Sequence, residues 1–318
     1  MTVEPARAAA FAPGHVTGIF EIHDQHADPE RRGSRGAGFS LAQGALTYVE
    51  VAPADALAID VTLDREPAEA ATTREAVTAL LKEAVKLGKV PLNRDAPKGS
   101  RARIRVRVAT ELQLPVSQGF GMSAAGALSA ALALAKCLRM GRTDAVRAAH
   151  VAEVAHRTGL GDVVGAALGG FEVRVKPGLP PWGLAQTFVG YGDAVLCVIG
   201  GRLETKAVLS DPARRQAVND AGGRALDALL TSPSLPLFLE QSQRFARESG
   251  LLTPDMERAM HAAKAHGHAS MSMLGHSLFA FGNVPRLVDA LSPFGEVRVV
   301  PVSEAGARLV DVSPAPGA

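Results

Sequence analysis

Apolar residues recur along the chain with two different periods, which sort it into strands and helices. Residues 45–51 (ALTYVEV) and 56–63 (ALAIDVTL) are rich in β-branched side chains and bounded by Gly, Pro and Asp, which predicts two strands. Across 72–88, Val77, Leu80, Leu81, Ala84, Val85 and Leu87 recur at helical spacing before Gly88, a helix with its stop signal. Residues 101–108 (RARIRVRV) alternate strictly, with Ile104, Val106 and Val108 on one face and four arginines on the other. A glycine-rich turn at 114–121 leads into an Ala-rich helix at 123–138 and a second helix at 143–157, followed by a glycine-rich stretch at 159–170. A strand at 171–175 and the turn cluster KPGLPPWG at 176–183 precede a buried strand at 193–199. Helices at 211–230, 254–266 and 284–291 and a strand at 297–302 follow, around the unassigned segment SMSMLGHSLFAFG at 270–282. Strands and helices mix without regular alternation. The fold class is therefore α+β, in two domains spanning 1–180 and 181–318.

Composition narrows what such a fold does. With 318 residues, 47% of them apolar, and 34 basic against 32 acidic side chains, the chain is long enough for two cores and is not disordered. A net charge of +2 lacks the basic surplus that phosphate backbones demand, so no nucleic-acid partner is expected. The arginine stripe at 101–107 reads as the solvated face of a half-buried strand, because no aromatic residues are interleaved with it. The longest uncharged apolar stretch, 122–135, falls short of the ~20 residues a membrane helix needs, and the opening segment lacks a signal-peptide core. Cys137 and Cys197 lie in apolar runs and read as core residues of a reducing, cytoplasmic setting. Glycine is the outlier: 12 of the 32 fall in 33–44, 119–126 and 159–170.

The most informative stretch is 114–126. A strand runs into a loop with Gly119 and Gly121, and the chain then enters a helix whose first turn carries Ser123. Glycine lets backbone approach a ligand closely, and a helix start presents unpaired N–H groups to an anion. The alternative is a connection that binds nothing, with Ser123 as an N-terminal cap. No P-loop motif occurs in the chain, and the spacing is wrong for a dinucleotide-binding fingerprint.

The loop resembles the P-x-x-x-G-x-G-x-S-A signature of the GHMP kinases (galactose, homoserine, mevalonate and phosphomevalonate kinases). Pro115, Gly119, Gly121, Ser123 and Ala124 match it, while Ser117 and Met122 depart from it. Phe11-Ala-Pro-Gly-His15-Val is similar to the family's first motif, an A-P-G turn beside the substrate, with His15 where mevalonate kinases carry lysine. Residues 158–162 (TGLGD) with Gly169 and Gly170 resemble the stretch holding the family's catalytic aspartate, and 273–277 (MLGHS) the third motif. The resemblance implies a mixed α/β N-terminal domain, a ferredoxin-like C-terminal domain and an active site in the cleft between them.

It also implies ATP and Mg²⁺ as cofactors. ATP phosphates would meet the backbone of Pro115, Gly119, Phe120, Gly121, Met122, Ser123 and Ala124, and Ser123 with Glu153 would hold the metal. A solvated helix glutamate accounts for Glu153 equally well. Asp162 would be the catalytic base, with Ser123 and His15 as further catalytic residues; a turn aspartate is the bland alternative. Segments 11–18, 33–39 and 272–277 are most similar to the archaeal members whose acceptor is pantoate, a step in coenzyme A biosynthesis. That implies transfer to the pantoate 4-hydroxyl, with its carboxylate held by Arg35 and Ser34 in a flexible loop, Gly36, Gly275 and His276 as further substrate contacts, and His15 on the acceptor or the transferred phosphate. Thr205 and Lys206 read as an ordinary strand end. Two other readings stay open: a kinase for mevalonate, homoserine or another hydroxy acid, and a non-catalytic ligand sensor on the same fold. A homodimer is one option for the assembly.

Overall fold

The computed structural model describes residues 4–90, 103–201 and 211–311; Thr205 and Lys206 lie outside them. Two long antiparallel strands organise it, β1 (Ala6–His23) and β2 (Gly33–Pro53), with bulges at Pro13/His15 and Thr17/Ile19. β1 is buried from Ala8 to Phe20 because helices pack on it from two directions, so it reads as a continuous apolar run and not as an alternating one. The expected turn at Ala12-Pro13-Gly14 is a bulge inside this strand, and the expected flexible loop at 33–44 is the ordered start of β2. Both departures have one cause, the length of the hairpin, which gives its glycines strand partners.

β3 (Ala58–Leu63) runs parallel to β5 (Ile104–Leu112), which pairs with the far half of β2, and β4 (Glu66–Pro67) closes that edge. In β5 the apolar residues face inward, and Arg105 and Arg107 face Asp60 and Glu50 at 3.4 and 2.9 Å, as a solvated stripe should. β6 (Phe171–Lys176) pairs with β2 at Gly36–Phe39 and with β7 (Leu184–Phe188), while β12 (Arg308–Val310) pairs with β1. One face is covered by α1 (Ala71–Lys86), α2 (Met122–Cys137), α3 (Arg142–His156) and the short α4 (Asp162–Leu168). α2 is central and buried along most of its length, and its alanines let the neighbouring elements come close.

A second, antiparallel sheet has the order β11–β8–β10–β9: β8 (Asp193–Val198), β9 (Gly267–Met271), β10 (Ser277–Gly282) and β11 (Glu296–Pro301). The unassigned segment 270–282 is thus the β9–β10 hairpin. α5 (Pro212–Leu230), α6 (Leu235–Glu248), α7 (Pro254–Ala263) and α8 (Val284–Leu291) complete this half, and α5 and α6 also pack on the end of β1. Phenylalanines from both halves meet at the seam: Phe39 lies 5.3 Å from Phe171, 5.3 Å from Phe279 and 5.2 Å from Phe281, ring centre to ring centre. No described helix is long and apolar enough to cross a membrane.

Candidate active site

The loop between β5 and α2 forms one wall of a cavity of about 620 Å³, a volume suited to a small-molecule ligand. Ser117, Gly119 and Gly121 all have left-handed backbone, with φ of 60, 77 and 62°. A Cβ on Gly119 would sit 2.9 Å from the carbonyl oxygens of Ser272 and Met273, so glycine is required there twice over. Gly121 is the N-terminal cap of α2 and offers no side-chain hydrogen bond. Ser123 is therefore not the cap: its hydroxyl donates to Thr72 Oγ1 at 3.1 Å, and the first-turn N–H groups remain available to an anion.

Asp162 opens α4 and reaches the cavity, with 23% of its side chain exposed. Its Oδ1 is held by His15 Nδ1 at 2.9 Å and by the Thr17 hydroxyl, which donates at 3.3 Å. A Cβ on Gly159 would clash with both Asp162 Oδ2 and Glu153 Oε1, so the two carboxylates pack directly on the bare glycine. Glu153 is fully buried; Oε2 accepts the Val163 N–H at 3.4 Å, and Oε1 has no partner among the described residues. Burial first, and the Asp162 charge second, push its carboxyl well above the usual carboxylate range. An orphaned buried carboxylate oxygen suits a divalent cation; it lies behind Gly159, which lines the cavity together with Ser123 and its exposed hydroxyl.

Behind the cavity wall lies a buried cation. Arg174 is 2% exposed; its Nη1 donates to Glu172 Oε1 and its Nη2 to Thr17 Oγ1 at 3.3 Å, while Nε has no partner among the described residues. Ser34 Oγ is also buried and unpartnered. A Cβ on Gly161 would lie 2.5 Å from Ser34 Oγ and 2.6 Å from Arg174 Nε, so both groups pack against this bare glycine; Ser34 and Gly161 line the cavity and Arg174 lies behind them. A hydroxyl and a guanidinium N–H so close together are the donor types that suit a carboxylate.

Residues 75–170 match the GHMP kinases N terminal domain. A pantoate kinase of Thermococcus kodakarensis is 35% identical over 274 residues, covering 85% of this chain and 86% of that relative. The chain belongs to the GHMP kinase family. A second pantoate kinase, from Methanospirillum hungatei, is 30% identical over 320 residues, covering 97% of this GHMP kinase and 98% of the relative. A solved structure described as a phosphotransferase related to the CoA biosynthesis pathway superimposes with a TM-score of 0.81 at 30% identity, over 96% of this chain and 98% of that one. This GHMP kinase is an ATP-dependent phosphotransferase acting on a hydroxyl group.

The kinase brings Phe120, Gly119, Gly121, Met122, Ser123, Ala124, Asp162 and Ser34 to the cavity wall; Pro115 stands just outside it. Several expected residues lie elsewhere. Arg35 is opposite Glu21 in the β1–β2 register and points away from Ser34, its strand neighbour. Its guanidinium is occupied by Glu21 at 2.8 Å, Asp227 at 3.2 Å and the Val175 carbonyl at 3.1 Å. Gly36 packs behind the wall, where a Cβ would meet Ile19 O at 2.2 Å and Arg174 Nη2 at 2.9 Å. His15 is sealed behind Asp162 and does not line the cavity, so it meets Asp162 and not a molecule in the cavity. Gly275 and His276 brace the phosphate loop: Gly275 packs on Gln118, His276 Nδ1 is 2.8 Å from Gly201 O, and Ser277 Oγ donates to Gln118 O at 2.6 Å. Met273 and Leu274 reach the cavity instead. Thr17, Thr72, Glu172 and Arg174 escaped the sequence reading; the available signal was two charges, two apart, inside an otherwise apolar strand after a glycine pair.

Proposed function

We propose that this GHMP kinase transfers the γ-phosphoryl group of ATP to the 4-hydroxyl of pantoate, yielding 4-phosphopantoate and ADP on a route to coenzyme A. The observation that carries the reading is that Ser34, Asp162 and the loop at the start of α2 line one cavity, with the Arg174 guanidinium buried directly behind Gly161 of its wall. The names of the relatives, pantoate kinases, agree with a carboxylate-bearing acceptor. Arg174 and Ser34 hold the acceptor carboxylate, and Asp162 Oδ2 faces the hydroxyl and takes its proton as the oxygen bonds to phosphorus. The N–H groups at the start of α2 receive phosphate oxygens and stabilise the charge that builds there. Ser123 and Glu153 would hold Mg²⁺, which supplies charge neutralisation at the phosphates.

ADP release measured across pantoate, mevalonate and homoserine tests the acceptor, with the product's phosphate position read by NMR. Turnover on pantoate, and a fall of about a hundredfold or more in kcat for Asp162→Asn with ATP binding retained, is the expected result. Good turnover on mevalonate or homoserine with none on pantoate would refute the acceptor assignment. Binding of ATP and pantoate without ADP release would instead identify a ligand sensor.

A further inference from the structure

Behind Asp162 a series of charged groups alternates in sign. The His15 ring is fully buried, and both of its nitrogens meet carboxylates: Nδ1 at 2.9 Å from Asp162 Oδ1 and Nε2 at 3.0 Å from Glu172 Oε1. A neutral imidazole has one N–H and one lone pair, so it satisfies one of these carboxylates and repels the other. Both contacts are attractive only if the ring carries two N–H groups or one carboxyl carries a proton. Glu172 is an unsuitable place for that proton, because the Arg174 guanidinium donates to the same Oε1. Asp162 Oδ1 likewise already accepts from the Thr17 hydroxyl. The ring cannot swing away from this arrangement, because it lies between two bare glycines. A Cβ on Gly38 would stand 2.7 Å from Nε2, and one on Gly165 would stand 2.3 Å from it.

We propose that Glu172 is a positioning residue for phosphoryl transfer: it holds His15 as an imidazolium that donates to both carboxylates, and His15 in turn fixes Asp162 as the ionised base with Oδ2 turned to the acceptor. This rests on Asp162 being the base. The groups facing the imidazole are Asp162 from α4, Glu172 and Arg174 from β6, and Thr17 from β1; Glu153 on α3 faces Asp162 from the other side. Burial alone would strip the proton from His15, and the hydrogen bonds and charges of Asp162 and Glu172 outweigh it and raise the ring above its ordinary value. The same series reaches the acceptor cation. Arg174, Glu172, His15 and Asp162 form a continuous plus–minus–plus–minus row, with Thr17 as a second link from Arg174 to Asp162. The group that recognises the acceptor carboxylate and the group that takes its proton therefore belong to one hydrogen-bonded unit.

Glu172→Gln keeps the shape of the side chain and removes its charge. In the full-length enzyme we expect kcat near neutral pH to fall about tenfold to a hundredfold, with KM for ATP unchanged. The acidic limb of the kcat–pH profile moves, because the ring that faces the base is no longer held as a cation. ¹⁵N NMR of labelled histidines, assigned through a His15→Asn variant, should show His15 still protonated on both nitrogens in the parent at a pH above the ordinary imidazole value, and neutral there in Glu172→Gln. A merely structural glutamate would lower thermal stability and rate without moving the pH limb or the His15 resonances. A Glu172→Gln profile that superimposes on the parent overturns the proposal, as does a parent His15 that loses its proton at or below the ordinary imidazole value, which can be read even if the variant does not fold. Asp162→Asn separates the two levels. If it is inactive while Glu172→Gln keeps the parent profile, only the positioning role fails; if it retains the parent rate, the assignment of the base fails with it.

Discussion

At the scale of single residues, the buried carboxylates decide how this enzyme responds to pH and to metal. Glu153 Oε1 has no partner among the described residues, and burial outweighs the attraction of the more distant Arg174, so the charged form is unfavourable until a cation reaches Oε1. Because its pKa is raised in the folded protein, a window opens above the ordinary carboxylate value in which the folded chain keeps a proton that the unfolded chain has lost. The associated stability is complete below that window and disappears as pH rises through it, by about 1.4 kcal/mol per pH unit for one proton. Without divalent ions the melting temperature should therefore fall from weakly acidic to alkaline pH, and Mg²⁺ should restore it by binding the ionised form. Glu153→Gln should flatten the dependence and remove most of the Mg²⁺-induced rise. Thermal melts of parent and variant across pH, with and without Mg²⁺, measure this. A variant with the parent's slope and the parent's response to Mg²⁺ would take Glu153 out of the metal site.

At the scale of elements, α4 shows why glycine matters here and why part of the site was hidden in the sequence. Its surroundings, GLGDVVGAALGG, read as loop, because seven residues are too few to display a helical period and the glycines mask what remains. The glycines are there for close approach: Gly161 clears Ser34 and Arg174, and Gly165 clears the His15 ring. Gly165 sits inside a helix, where alanine is ordinarily favoured by roughly 1 kcal/mol. The prediction runs against that preference. Gly165→Ala should push His15 off Asp162 and cut kcat about a hundredfold, with little change in the affinity for ATP. An unchanged kcat in steady-state assays would show that the ring has room the structure does not give it. The long periodic elements, α1, α2, α3 and β5, were legible because each buries one regular face or one continuous apolar run. β1 was not, because its Pro-Gly pair signals a turn locally and only the pairing with β2 makes it a bulge. The choice between Arg35 and Arg174 was hidden for a similar reason. Arg35 stands beside Gly36 and Arg174 between two valines, and which of them backs onto the cavity wall depends on strand register that no local pattern contains.

At the scale of the whole molecule, the two halves share more than a cleft. The first sheet takes β7 and β12 from beyond residue 180, and Leu41 bridges to Val302. Arg142 on α3 donates to the carbonyl of Ala167 at 2.7 Å and to that of Ala307, tying the last strand's approach to the catalytic helices. The phenylalanine seam draws Phe39 and Phe171 from one side and Phe238, Phe279 and Phe281 from the other, with Phe238 and Phe279 stacked at 6.1 Å. Cutting the chain at 180 exposes those rings, and each fully buried phenylalanine represents about 1.5–3 kcal/mol of burial. The loss also strips two strands from the sheet, against a total domain stability of only ~5–15 kcal/mol. A fragment spanning 1–180 should therefore lack a cooperative melt, although it carries the phosphate loop, Asp162 and Arg174. The full chain should unfold in one calorimetric transition, with matching calorimetric and van't Hoff enthalpies. A fragment that melts cooperatively near the parent temperature would mean that the phenylalanine seam joins two independently stable domains. The site would then depend on how they close and not on a shared core.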